Sequence, residues 1–169
     1  IRMAYRAKTS VLNLQGDFLH TDGLEALTPM NKHLLDTDVR FPNLIKIAVR
    51  AIKLMVSMLT ENSERVILLI AQGNHDLSSS QWLQSLFEMY YEDCPNVEVI
   101  VSPNPYYCIE HGKTMLVFHH GHRADTTKMA QIIPGMFPKE WGNTEYRYAH
   151  MGHRHHKLIK EGFGLIVEQ

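Results

Sequence analysis

Val66-Ile67-Leu68-Leu69-Ile70-Ala71-Gln72-Gly73-Asn74-His75-Asp76 runs an unbroken apolar segment into an amide, an imidazole and a carboxylate. A short apolar run bounded by a glycine is the pattern of a buried strand. Open α/β sheets place their chemistry at the carboxyl ends of such strands. Three different polar tools arrive there together: Asn offers a neutral oxygen, His a proton or a phosphate contact, and Asp a partner that fixes an imidazole tautomer.

The same arrangement recurs along the chain. Leu12-Asn13-Leu14-Gln15-Gly16-Asp17 ends a strand expected over Ser10–Gln15, and His119-His120-Gly121-His122 follows one expected over Thr114–Phe118. Gly152-His153-Arg154-His155-His156 follows one expected over Tyr146–Met151. A helix tail is expected over Arg2–Lys8 and a long loop over His20–Arg40. Leu44, Ala48, Ile52, Val56 and Leu59 recur at helical spacing, with Met55 and Met58 read as core filler. Ser78-Ser79-Ser80 is expected to cap a helix running to about Glu92, with Trp82, Leu83, Leu86, Phe87 and Tyr90 on one face. A strand over Val97–Val101, a hairpin turning at His111-Gly112-Lys113, a helix over Thr126–Ile133 and a last strand over Gly164–Val167 complete the reading. Strand–helix–strand early and a hairpin late indicate an α/β fold with mixed sheets and helices on their faces.

Composition narrows the function classes. The chain has 169 residues, one domain's worth, with 44% hydrophobic and 21% charged residues. A net charge of -1 carries no electrostatic footprint for nucleic acid. The two cysteines, Cys94 and Cys108, are too few for a disulfide framework and fit reduced thiols in the cytoplasm. No apolar run is long enough to span a membrane, and no signal peptide is visible. Histidine is the outlier: the chain has 11, clustered towards its C-terminal half, as imidazole metal ligation produces.

Collected at the strand ends, Asp17, Asn74, His120, His153 and His155 form a mixed nitrogen and oxygen donor set. Such donors suit Mn, Fe, Zn, Co or Ni better than Ca. A carboxylate such as Asp17 can bridge two ions, the arrangement of two-metal hydrolases. His75 would then stand beside the metals as an acid or a phosphate contact, with Asp76 holding its ring. Strand alternation sends His119 and His120 to opposite faces, and His153 and His155 to the same face. His20, His33, His111 and His150 read as ordinary histidines, His156 as a surface residue, and Trp141 and Tyr106-Tyr107 as packing residues.

The series Gly16-Asp17, Gly73-Asn74-His75-Asp76, His120-Gly121-His122 and Gly152-His153-Arg154-His155 resembles the calcineurin-like metallophosphoesterase superfamily, over roughly Ser10 to Val167. Trp141-Gly142-Asn143-Thr144 and Ser102-Pro103-Asn104-Pro105-Tyr106 are similar to the phosphoesterases of phages and prophages, themselves related to a DNA-repair nuclease. The resemblance implies a four-layered α/β sandwich forming a single domain over residues 1–169. It implies two divalent metal ions, manganese first among them. Asp17 would bridge them, Asn74, His120 and His153 would complete the second ion's shell, and His155 would bind the first ion. His75 and Asp76 would serve catalysis, and Asn74, His122 and Arg154 would meet a phosphoester substrate such as DNA or a nucleotide, in the cytoplasm of a host. One departure stands out. The family's Asp-x-His motif is missing, since no Asp or His precedes Asp17. The expectation is a chain truncated at both ends, with that motif and its strand upstream.

Overall fold

The computed structural model describes residues 6–29, 31–37 and 40–169. Its first sheet is parallel, in the order β1-β2-β3, from Ala7–Leu14, Ser63–Ile70 and Val97–Ile100. β2 lies in the middle with its apolar run almost wholly buried, as a strand covered on both faces must be. Its two crossovers are helices: α1 (Phe41–Asn62), with a proline in its first turn, and α2 (Leu77–Tyr90). Ala48, Ile52 and Val56 from α1, with Leu83 and Phe87 from α2, pack onto Leu12, Leu14, Val66, Leu68 and Ile70 of the sheet.

The second sheet is mixed, in the order β4-β5-β6-β8-β7. The hairpin of β4 (Tyr107–His111) and β5 (Thr114–His119) is antiparallel, whereas β5, β6 (Tyr146–Met151) and β8 (Leu165–Glu168) run parallel. β7 (Ile159–Gly162) pairs antiparallel with β8 at the edge. α3 (Thr126–Met136) and α4 (Pro138–Asn143) cover its outer face, where Met129 and Ile133 meet Met115, Val117, Ala149, Leu165 and Val167. The inner faces meet through Val11, Leu69, Ala71 and Ile100 on one side and Tyr107, Ile109, Leu116 and Phe118 on the other. The four layers are therefore helices, sheet, sheet and helices.

Several expectations are corrected. Of the helix expected over Arg2–Lys8, residues 2–5 lie outside the described residues, and Ala7 and Lys8 already belong to β1. The triple serine does not cap α2. Its N-cap is Asp76, whose side chain makes no capping bond, and the free N–H groups of Ser78 and Ser79 donate to Asp22 at 2.8 and 2.7 Å. A carboxylate from the preceding loop thus does the capping, favoured by the positive end of the helix dipole. Only part of the expected apolar face of α2 is inside: Leu83 and Phe87 are buried, whereas Trp82 is 77% exposed and Leu86 and Tyr90 also face outwards. Met58 is likewise exposed rather than core. β7 and α4 had no expectation.

Gln84 joins the layers. Fully buried, its Nε2 donates to the Ile70 carbonyl at 2.8 Å and to the Tyr107 hydroxyl at 3.2 Å, and its Oε1 accepts from Ser102 N–H. A buried polar group with every partner satisfied is expensive to remove, because its partners stay behind unpaired. Gln84→Ala is expected to cost about 3 kcal/mol from the orphaned Ile70 carbonyl and the cavity together. Urea unfolding followed by circular dichroism measures it; a loss under about 0.5 kcal/mol would show that the layers do not depend on this amide.

Candidate metal centre

Four strand ends meet where the two sheets abut. Gly16-Asp17 leaves β1, Gly73–Asp76 leaves β2, His120 leaves β5 and Gly152-His153 leaves β6. Crowding fixes the path of the first two turns. Gly16 sits at φ +89°, and a Cβ on it would stand 2.7 Å from Nδ1 of His120. A Cβ on Gly73 would collide with the carboxylate and the amide nitrogen of Asp17. Only glycine permits that approach.

The ligand atoms of Asp17, His120 and His153 all lie within 4.8 Å of one another. Nε2 of His120 is 3.0 Å from Oδ2 of Asp17 and 3.1 Å from Oδ1 of Asn74. Nδ1 of the same ring is 2.9 Å from the Gln15 carbonyl. A carbonyl only accepts, so Nδ1 carries the proton and Nε2 turns its lone pair towards two oxygen acceptors. Three electron-rich atoms facing one point need a cation between them. A proton on Nε2 of His120 would supply one, favoured by the raised affinity of that ring for protons; the same donors fit a divalent metal ion, with His153 as a further imidazole. This is a candidate metal-coordinating triad, extended by the Asn74 amide.

The titration behaviour follows from the geometry. Burial would raise the Asp17 carboxyl, but the hydrogen bonds from His120 and from His75 N–H, with the charges of both rings, hold it at about 2. Burial disfavours the His120 cation, yet Asp17 and the Gln15 carbonyl outweigh it and raise the ring above its usual value. His153 is lowered by burial and by His120. His119 and His122, with no such carboxylate bond, are pushed down by burial and by neighbouring cations to about 3 and about 4.

His119 and His120 divide as alternation requires. His119 is fully buried, stacks on Tyr106 and accepts from Gly121 N–H through Nδ1, while His120 enters the cluster. His122 stands close by, its ring centroid 5.6 Å from that of His120, and its Nε2 accepts from Arg123. Backbone N–H of His75 donates to Asp17 Oδ1 at 2.8 Å, and its ring Nδ1 donates to the His20 carbonyl at 3.2 Å, which leaves Nε2 free.

Two expectations differ from the geometry. Asp76 does not hold the His75 ring: its carboxylate, 1% exposed, accepts the N–H groups of Asp17, Gly73 and Leu19. It fixes the backbone of both turns. Burial, followed by the nearby Asp17 charge, raises its carboxyl despite those three donors. Nor do His153 and His155 share a strand face. β6 ends at Met151, and both lie in the following loop at φ +75° and +50°, so alternation does not apply to them. His155 and Arg154 are exposed and outside the triad.

Two contributors escaped the sequence reading. Gln15 donates through Nε2 to the carbonyls of His119 and His150 while its own carbonyl orients His120. Asp22 ties the loop after Asp17 to the start of α2. Neither residue type announces such a role, since glutamine and aspartate after a strand are ordinary turn residues. Among the described residues no helix is long and apolar enough to cross a membrane. No family model, no curated protein and no solved structure matches the chain.

Proton and metal compete for the same Nε2 lone pair, so affinity should depend on pH in a fixed direction. The raised His120 keeps its proton to higher pH than an ordinary imidazole. Metal binding is therefore expected to weaken about tenfold per pH unit below that raised value and to level off above it. Titration calorimetry with Mn²⁺ or Zn²⁺ in buffers of different ionisation enthalpy should show close to one proton released per ion. Binding without proton release would remove His120 from the ligand set.

Proposed function

We propose that the protein is a divalent-metal-dependent phosphoesterase that cleaves a phosphodiester by attack of an activated water. The observation that carries this reading is the convergence of Asp17, Asn74, His120 and His153 on one point at the sheet ends. The motif series resembling calcineurin-like metallophosphoesterases supports the same reading. In it Asp17 and His155 would help to hold a pair of divalent ions, with manganese preferred. When bound, such ions polarise a phosphoryl oxygen and make water a stronger nucleophile near neutral pH.

The chain's own groups supply the rest. The Gln15 carbonyl holds His120 in the tautomer that offers Nε2. Asp76 locks the two turns carrying Asp17 and His75 to each other. His75, with Nδ1–H committed to the His20 carbonyl, has Nε2 available to give a proton to the leaving oxygen or to meet phosphate. Asn74, His122 and Arg154 are the proposed substrate contacts. A nuclease or a nucleotide phosphodiesterase is the specific reading. A binding protein that keeps the fold without turnover is the alternative.

Hydrolysis of bis-p-nitrophenyl phosphate with added Mn²⁺, read beside metal content, separates the two. His75→Ala is expected to retain metal and lose about 10²–10⁴-fold in turnover, whereas Asp17→Asn should lose both. Metal uptake with no hydrolysis by the parent protein would favour the binding-protein reading. Parental rates in His75→Ala would remove that residue from the chemistry.

A further inference from the structure

Both crossover helices of the first sheet lie on the same face of it, since α1 and α2 share one core. Between their outer flanks runs a groove of about 960 Å³. Ile45, Val49 and Lys53 form its α1 wall, and Trp82, Leu86 and Tyr90 its α2 wall. None of its lining residues belongs to the candidate metal centre. The α2 wall is apolar and uncovered: Trp82 is 77% exposed, Tyr90 51%, and Met89 at the far end 70%. Single exposed apolar residues are ordinary, whereas large ones gathered around a concavity mark a binding surface. Tryptophan and tyrosine are also the side chains that most often anchor such surfaces.

Charge tells what the groove is shaped to meet. Lys46, Arg50 and Lys53 recur along α1 at i, i+4 and i+7, so they form one stripe. Lys53 lines the groove, which places that stripe along its α1 rim. Among the described residues no carboxylate pairs with any of the three. Lys53 instead holds its Nζ 4.4 Å above the Tyr90 ring, a cation resting on an aromatic face across the groove. Asp22 is the one acid in the lining, and both its oxygens are spent on the N–H groups of Ser78 and Ser79. The chain as a whole carries a net charge of -1, so the unanswered positive charge is a property of this rim.

We propose that the α1–α2 groove binds an acidic amphipathic helix of a partner protein. Its apolar face would lie against Trp82, Leu86 and Val49, and Asp or Glu side chains along one edge would meet Lys46, Arg50 and Lys53. Laying an apolar stripe into a groove between helices is an established mode of peptide recognition. The lining runs along α2 from Ser79 to Tyr90, which at 1.5 Å per residue is about 16 Å, or roughly three turns of an occupant. A second copy of this chain is the poorer occupant. A two-fold contact joins a patch to itself, and two copies would bring both sets of rim cations together with no free acid to answer them. A bilayer surface could cover Trp82 and Met89, but it is flat and leaves a groove of this depth unfilled. The inference stands on the helical face alone and is independent of metal or turnover.

The test is selection of a displayed library of 14-residue peptides on the whole 169-residue protein. Apolar residues are fixed at helical spacing, and the flanking positions are free to be Glu, Gln or Lys. Selected peptides are synthesised and measured by fluorescence polarisation and circular dichroism. The expected binders carry Glu along one flank, gain helicity on binding and weaken as salt is raised. They should lose at least tenfold in affinity for Trp82→Glu and for Arg50→Glu, and keep it for Leu54→Glu, one residue round α1 from the groove. All three positions are exposed, so none of these variants threatens folding. Selection of no helical peptide, or of binders without acidic bias that ignore Arg50→Glu, would overturn the proposal. So would a dimer by sedimentation that Trp82→Glu dissolves, which assigns the groove to a second copy. Flotation with phosphatidylglycerol vesicles that Trp82→Glu abolishes, and that the selected peptides do not compete away, would assign it to a bilayer instead.

Discussion

The hydrogen bond between the Gln15 carbonyl and Nδ1 of His120 joins the two halves of the molecule at the point where the candidate metal ligands meet. Gln15 follows β1 of the first sheet and His120 follows β5 of the second. This contact decides which imidazole nitrogen faces Asp17 and Asn74. Were Nδ1 free, the ring could flip its tautomer and present a donor where the site needs a lone pair. The side chain of the same glutamine reaches across to the carbonyls of His119 and His150. One residue therefore holds both the ring and the loop backbones around it. Fixing a ligand through its other nitrogen is how proteins raise ligand basicity and hold orientation.

Backbone strain gathers at the same place. Six non-glycine residues among those described have positive φ, and Asp17, His20, His153 and His155 are four of them. Each such residue costs of order 1 kcal/mol, and the cost is tolerated only where surroundings over-determine the turn. For Asp17 the surroundings are specific: Gly73 gives room, Asp76 takes the N–H, and His75 N–H and His120 take the carboxylate. The stored strain points the carboxylate inwards at the sheet junction. An aspartate in an ordinary turn would face solvent.

What the sequence made legible was what local patterning controls. The run Val66–Ile70 reads as a buried strand because nothing polar interrupts it, and α1 reads as a helix because its apolar residues recur at 3.6-residue spacing. The positions of Asp17, Asn74, His120 and His153 at strand ends followed from the same patterns. Illegible were features set by contacts distant along the chain. Asp22 caps a helix more than fifty residues ahead of it, and Asp76, next to His75 in sequence, serves the backbone of another turn. β7, Ile159-Lys160-Glu161-Gly162, lacks an apolar run because it is an exposed edge strand held only by β8. Alternation failed at His155 because the strand had already ended.

The electrostatics of the junction narrow what it can hold. The chain as a whole is nearly neutral, so attraction for a cation must be local. Asp17 stays ionised down to about pH 2 and is the one carboxylate of the triad. Asp76, one turn away, is pushed towards its neutral form and spends its oxygens on backbone donors. The remaining donors are imidazoles and an amide, which bring lone pairs without charge. A site with one negative charge and several neutral nitrogens suits borderline ions that bind imidazole well, and suits calcium poorly, since calcium asks for six to eight oxygens. Neutral His119 and His122, lowered to about 3 and about 4 by burial, matter for the same reason. Were they protonated, two imidazolium charges beside His120 would oppose any cation entering; burial removes that opposition across the whole physiological pH range.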